Sequence, residues 1–397
     1  MQIQERNGTQ VEMRMDRSYV NKLFQYLFYV QFLLITVLVL VLTVRGVLSA
    51  DHTHHFHPKK WYVPVLSSTA CAGIIGFAWQ ELTRFNPSRM VKATFWLSPL
   101  LTCAFGILLI SIGTPGGVAA SVIALVSSVI QSLYACWVSP RFQHANRIVT
   151  VSIAHHPPKV KAMIVKNMML VTVSHIKYMQ FASGTQVDFK AAIRNSAKYS
   201  MGSICMGSIF IPVLGVIRGS ARGVNLVSGD ADEFMCSANC CSGVASRLVA
   251  YGNRRGFVQV GVYNKGIVQA STDTWEMFRR LGMEKLINSD LTSSFCFLSG
   301  VAAGSICALV GGSWALLIHK TYATEVSLYT FLIGYFMSRV AMAWIQASVA
   351  AYYVAYAENP QSQQFDSTIP DYIREIERSQ VQHSQELFRT AHVESML

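Results

Sequence analysis

Long apolar blocks, almost free of charged residues, dominate this chain and limit how it can fold. The first runs from Phe24 to Val44, 21 residues without a charge. Five further blocks approach or exceed that length: Val63 to Gln80, Ala93 to Ile112, Val118 to Val138, Ser293 to Ile318 and Ser327 to Tyr356. A helix rises about 1.5 Å per residue, so about 20 such residues cross the ~30 Å hydrocarbon core of a bilayer. The pattern predicts an all-α, polytopic integral membrane helix bundle.

Two weaker stretches complete the predicted topology. Tyr199 to Ile217 is apolar but broken by Pro212, and Lys161 to Phe181 is continuously apolar over only half a membrane thickness. Basic residues concentrate in the tail before Phe24 and in Arg222 to Leu291, and such residues favour the cytoplasmic side. Both basic regions can be cytoplasmic only if the half-length stretch from Lys161 to Phe181 also crosses the membrane. We therefore expect about eight spans with both termini inside.

The same reasoning divides the chain into five parts. They are a cytoplasmic N-terminal tail (1–22), the first four transmembrane helices (23–140), a loop with a weak or half-length span (141–198), a membrane core (199–357) and a polar cytoplasmic C-terminal tail (358–397). Within the core we expect a cytoplasmic amphipathic region at 219–291, lying on the bilayer, and a final helical hairpin.

Composition excludes several classes of function. Charged residues make up 14% of the chain, against about 25% in typical soluble proteins. The net charge of +12 does not indicate nucleic-acid binding, because the basic residues lie between apolar blocks and no basic stripe with interleaved aromatic residues is present. Phosphate loops, nucleophile elbows, HExxH motifs and paired carboxylates are missing from the sequence, so no enzyme is predicted.

Two clusters could carry metal or lipid chemistry. His52, His54, His55 and His57 form a dense loop of a kind that could bind Zn²⁺ or Cu²⁺, but we interpret it as a solvated extracytoplasmic loop, because no further ligand follows at a fixed spacing. Cys236, Cys240 and Cys241 are interpreted as unmodified thiols, with S-palmitoylation as the alternative. We predict neither a metal site nor a cofactor.

Arg339 is the most unusual residue in the apolar blocks. It lies thirteen residues into the last block, near the bilayer midplane or a turn or two from an interface, where a charge must face protein or water. Tyr335 and Gln346 share its helix face, which is a candidate pathway lining. The alternative is a structural Arg paired with a carbonyl or an acid such as Glu81. Gly300 and Gly304, four residues apart, predict close helix packing.

The C-terminal half contains several long, unusual strings: GSICMGSIF (202–210), GNRRGFVQVGVYNKG (252–266), TWEMF (274–278), SDLTSSFCFLSGVAAGSIC (289–307) and YYVAYAENP (352–360). In this order they resemble the choline transporter-like family, in its plant-type branch. The resemblance is dense over about two hundred residues and looser over the first four spans. Family members have about ten spans, and residues 147–166 stand where the family carries one complete span and the start of the next. The resemblance therefore implies that about two spans are absent.

The resemblance also implies a function and its chemistry. The family carries choline, and in some cases ethanolamine, for phospholipid synthesis and membrane traffic, at the plasma membrane or in the Golgi and other endomembranes. A quaternary ammonium is held by aromatic faces and a nearby acid. Residues of suitable type at membrane depth are Trp79, Glu81, Tyr335, Arg339 and Tyr353. The expected partners are a choline-like cation and membrane lipid, and no nucleic acid. The alternative function is a transport-inactive relative that acts as a membrane interaction or trafficking factor.

Overall fold

The computed structural model describes residues 58–154, 166–208, 254–362 and 367–375, with short gaps at 185–186 and 319, and isolated residues at 26–45, 365 and 378. The helices in these ranges are α1 (Pro58–Phe85), α2 (Pro87–Ile112), α3 (Pro115–Val138), α4 (Phe142–Ala154), α5 (Lys166–Ser183), α6 (Phe189–Asn195), α7 (Gly256–Tyr263), α8 (Ile267–Arg280), α9 (Glu284–Asn288), α10 (Thr292–Ile318), α11 (Ala323–Ala341) and α12 (Ala343–Glu358). Outside the described residues lie the histidine loop, the three clustered cysteines, about half of the first predicted span and residues 209–217 of the span predicted at Tyr199 to Ile217.

Five helical segments are long and apolar enough to cross a membrane, and they coincide with five of the predicted spans. They are Val63–Phe85, Pro87–Ile112, Pro115–Arg141, Thr292–Ile318 and Lys320–Glu358. Their large outward side chains are apolar and exposed, as Leu66, Ile74 and Leu133 illustrate. A continuous apolar exterior of this size is stable against lipid and not against water. The fold is therefore an all-α polytopic membrane bundle, as predicted.

The turn between α2 and α3 forms for local reasons that the sequence displays. Gly113 ends α2 with a φ of 75°, a left-handed conformation that favours glycine. Thr114 then caps α3 by accepting a hydrogen bond from the Gly117 backbone nitrogen at 3.0 Å, and Pro115 occupies the first helical position. Gly113, Thr114 and Pro115 together form a tight turn, and α2 and α3 pack as a hairpin.

The hairpin of α10 and α11 depends on small residues, as the spacing of Gly300 and Gly304 predicts. A Cβ atom added to Gly304 would lie 2.8 Å from the Phe331 carbonyl oxygen, and one added to Gly312 would lie 2.3 Å from the Ser327 hydroxyl oxygen. No such approach is tolerated by real Cβ atoms, so the two backbones meet this closely only because glycine lacks a side chain.

The last apolar block is divided into two helices, α11 and α12, at Met342. The full segment of 39 residues would extend about 58 Å, nearly twice the hydrocarbon thickness. Exposed large apolar side chains end at Met337, and α12 is buried along almost its whole length. The sequence predicts a single span over this block, whereas in the structure α11 alone has the length and lipid-facing surface of one.

A second group of helices, α5, α7 and α8, packs around α12. Among described residues 142–280 no large apolar side chain is exposed, so these helices face protein. The amphipathic α8 buries Ile267, Ala270 and Phe278 completely, so its apolar face packs against protein, and the position of 219–291 on the bilayer stays a prediction. The described part of the half-length stretch at 161–181 lies in α5, which begins at Lys166 and is not among the helices apolar enough to cross. The eighth crossing therefore stays a prediction.

The ends of the membrane helices assemble at two opposite ends of the bundle. At one, Thr114 and Thr324 share a hydrogen bond of 2.6 Å between the start of α3 and the start of α11. At the other, Tyr134 near the end of α3 bonds Ser294 at the start of α10 at 2.7 Å. We call this second end the basic end, because Arg84, Arg89, Lys92, Arg141, Arg254 and Arg339 lie there or in its connections.

Candidate functional site

A cavity of about 420 Å³ opens at the basic end between α3, α10, α11 and the turn that precedes α7. Its lining includes Gln131 and Tyr134 from α3, Ser294 and Phe297 from α10, Arg254 from the turn and Arg339 from α11. Its volume lies in the range of small-ligand sites in proteins. It is thus large enough for a small molecule or a lipid headgroup.

Arg339 is held in this cavity by the packing of α10 against α11. Its side chain is 8% exposed, and a Cβ atom added to Gly300 would lie 2.9 Å from its Cδ atom. Arg339 lies in the last turn of α11, beside the first turns of α10. The structure thus places it near a helix end and not at mid-span. Its Nη1 atom is buried and has no hydrogen-bond partner among the described residues.

Arg254 brings a second guanidinium group to the same cavity. Burial lowers the pKa of Arg254, and the positive charge of Arg339 lowers it further. A lowered pKa means that the surroundings disfavour the charged form, as expected for two like charges in a poorly solvated space. In the described part of the chain neither arginine forms an ion pair with an acid. The site is therefore strongly electropositive.

Neutral polar groups complete the lining. The hydroxyl groups of Tyr134 and Ser294 lie 2.7 Å apart and share one hydrogen bond. Gln131 accepts a hydrogen bond of 2.7 Å from the Ser98 hydroxyl through its Oε1 atom, which fixes its amide group. These contacts connect α2, α3 and α10 around the cavity mouth.

The five predicted substrate residues do not share one cavity. Arg339 lines the cavity described above, and Tyr335 lies one turn earlier on α11, where it packs edge-on against Phe297 at a centroid distance of 6.2 Å. Trp79 is buried in the main core, where its indole nitrogen lacks a described hydrogen-bond partner.

The other two predicted residues have ordinary structural partners. The Glu81 side chain is about one-third exposed and lies 3.5 Å from Arg84, so it does not pair with Arg339. Tyr353 is completely buried on α12, with the Arg255 guanidinium 5.4 Å from the centre of its ring. That distance is typical of a cation–π contact.

Sequence reasoning missed a second polar cluster, around Glu358 at the end of α12. Its Oε2 atom accepts hydrogen bonds from the hydroxyl groups of Tyr178 and Tyr263, the latter at 2.8 Å, and the two hydroxyls are 2.9 Å apart. The only sequence signal is an acid that ends a long apolar run. The tyrosines are 180 and 95 residues away, so no local pattern connects them to Glu358.

The helical bundle, its apolar exterior and its polar cavity define a multi-pass membrane protein. The family model described as plasma-membrane choline transporter matches residues 162–361, about half of the chain. This chain belongs to the choline transporter-like family.

Curated relatives support the same assignment. Protein PNS1 of Mycosarcoma maydis is 27% identical over 212 residues, which cover 50% of this chain and 40% of that protein. Protein PNS1 of Debaryomyces hansenii is 24% identical over 246 residues, covering 56% and 47% respectively. The chain thus matches less than half the length of these relatives. The plant-type branch stays a prediction.

Proposed function

We propose that this chain carries choline or a related organic cation, with ethanolamine as a second substrate, across a membrane, and thereby supports phospholipid synthesis and membrane traffic. The observation that carries the proposal is the family match over residues 162–361, which includes α5 to α12. The plasma membrane is the proposed location, with the Golgi and other endomembranes as alternatives. The five-part division predicted for the chain is part of the same proposal.

The Glu358 cluster supplies chemistry suited to a quaternary ammonium. Tyr178 and Tyr263 have ring centroids 6.2 Å apart in an edge-to-face arrangement, next to the Glu358 carboxyl group. Aromatic faces and a carboxylate are the groups that bind a cation without hydrogen-bond donors. We therefore add these three residues to the proposed contacts, beside Trp79, Glu81 and Tyr353. The cavity lined by Arg339 is a poorer cation site, because it holds two guanidinium groups that repel a positive ligand, whereas the Glu358 cluster has one cation close by, the Lys265 ammonium group, 5.5 Å from the centre of the Tyr263 ring.

Radiolabelled choline uptake tests the proposal. The chain should give saturable uptake above that of vector-only cells, and Glu358→Gln should lower it at least about tenfold, equivalent to 1.4 kcal/mol. Glu325→Gln is the matched control, because Glu325 is an exposed acid at the opposite end of the bundle.

A second version of the chain, with two spans restored between 147 and 166, decides between the two functions predicted from the sequence. Uptake by both versions supports the proposal. Uptake by the restored version alone would reject transport by this chain and leave it as a transport-inactive membrane partner. Absence of uptake by both would contradict the proposal.

A further inference from the structure

We propose that the cavity at the basic end binds the phosphate group of a membrane phospholipid, held between Arg254 and Arg339. The inference goes beyond cation transport and does not depend on it, since the two sites involve different residues and opposite ligand charge.

The charges in the cavity call for an anion. Arg254 and Arg339 both line it, and in the described ranges neither has an acidic partner. Arg339 is more than nine-tenths buried with Nη1 unpaired, which is unfavourable for a charged group unless a ligand completes its hydrogen bonds. Guanidinium groups match phosphate oxygens in both charge and geometry, so a phosphate would satisfy both arginines at once.

A neutral donor is available at the same place. The hydroxyl groups of Tyr134 and Ser294 are bonded to each other at 2.7 Å, and that bond uses the hydrogen of only one of them. The remaining hydroxyl hydrogen is free to be donated to a ligand oxygen. The cavity therefore offers two charged donors and one neutral donor on different helices, which is an arrangement suited to the several oxygen atoms of a phosphate.

The surroundings of the cavity favour a lipid over a soluble phosphate. Ile130 and Phe297 line it and are 60% and 47% exposed, as part of the apolar exterior of α3 and α10. Acyl chains can lie along these side chains while the headgroup enters the cavity. The cavity is also at the end of the helices, where headgroups lie, and beside basic residues that attract anionic lipids.

Lipid binding by the purified full chain tests the proposal. The delipidated protein is titrated with phosphatidylglycerol, and bound lipid is measured by native mass spectrometry. Arg254→Gln and Arg339→Gln should each weaken binding about tenfold or more. Arg279→Gln should leave lipid binding unchanged, because the Arg279 side chain is 74% exposed on α8 and does not line the cavity. Arg339→Lys keeps the positive charge and should retain more binding than Arg339→Gln, which separates loss of charge from misfolding.

A parallel arm distinguishes the two sources of phosphate. Inorganic phosphate should not displace the lipid at millimolar concentration, because it gains nothing from Ile130 and Phe297. Phosphatidylcholine should bind more weakly than phosphatidylglycerol, because its trimethylammonium group is repelled by the arginines. Equal lipid binding by the arginine variants and the control, or displacement by inorganic phosphate alone, would overturn the proposal.

Discussion

Gly300 on α10 makes room for the buried side chain of Arg339 on α11. Gly300 faces Arg339 and Tyr335, and an added Cβ atom would lie 2.9 Å from Arg339 Cδ and 3.1 Å from Tyr335 Cδ2. The absent side chain lets α11 lie against α10 closely enough for the arginine to reach the cavity. The position of Arg339 is thus a consequence of packing on the neighbouring helix.

We expect Gly300→Ala to destabilise the protein by about 1–3 kcal/mol, because the methyl group has no room unless the Arg339 and Tyr335 side chains shift or α10 and α11 separate. Gly73→Ala is the matched control, since Gly73 lies in the membrane helix α1 and an added Cβ atom there meets nothing within 4 Å. The control should be neutral or stabilising, because alanine favours helix over glycine by about 1 kcal/mol. Thermal unfolding in detergent gives the comparison, and equal effects of the two substitutions would contradict this account.

At the scale of elements, the end of α12 is tied to α5 and α7 by the Glu358 cluster. Tyr178 belongs to α5 and Tyr263 to α7, and both hydroxyls donate to the Glu358 carboxyl group. Three segments that are far apart in sequence are thereby held at one point. We expect this cluster to fix the direction that the chain takes after the break at Met342.

A double-mutant cycle of Tyr263→Phe and Glu358→Gln should reveal this connection. Each substitution should lower the free energy of unfolding by about 1–3 kcal/mol, as for hydrogen bonds to a charged group. The coupling between them should be about 0.5–3 kcal/mol, because they act through the same contact. Tyr356→Phe is the control on the same helix, since the Tyr356 hydroxyl has no hydrogen bond to any described residue. Purely additive effects in urea unfolding would show that the cluster does not connect the helices.

The sequence predicts the membrane helices well and the interior contacts poorly, for a physical reason. The spans at Val63, Ala93, Val118 and Ser293 follow from hydropathy, since each needs only enough apolar residues to cross lipid. The break at Met342 does not follow from hydropathy, because α11 and α12 are both apolar. They differ only in whether lipid or protein surrounds them. Likewise, Arg339 could be recognised as a charge that needs a partner, but its neighbour Arg254 lies 85 residues earlier and only folding brings them together.

At the scale of the whole molecule, the two ends of the bundle differ in charge. The end of α3, the start of α10 and the end of α11 meet at the basic end, while Thr114 and Thr324 mark the opposite end. Basic residues favour the cytoplasmic side of a membrane. We therefore predict one orientation for the described bundle, in which the basic end and α8 are cytoplasmic, as the sequence also predicts for both termini.

Cysteine labelling in intact cells should confirm this orientation. In a background where the nine native cysteines are replaced, a cysteine at Arg280, exposed at the end of α8, should react with a membrane-impermeant thiol reagent only after the cells are permeabilised. A cysteine at Lys320, exposed next to the start of α11 at the opposite end, should react in intact cells because it faces outside. Both sites are exposed in the fold, so a difference in reaction reports the side of the membrane and not burial. The reverse labelling pattern would show that the bundle has the opposite orientation and that the proposed phosphate site faces the outer leaflet.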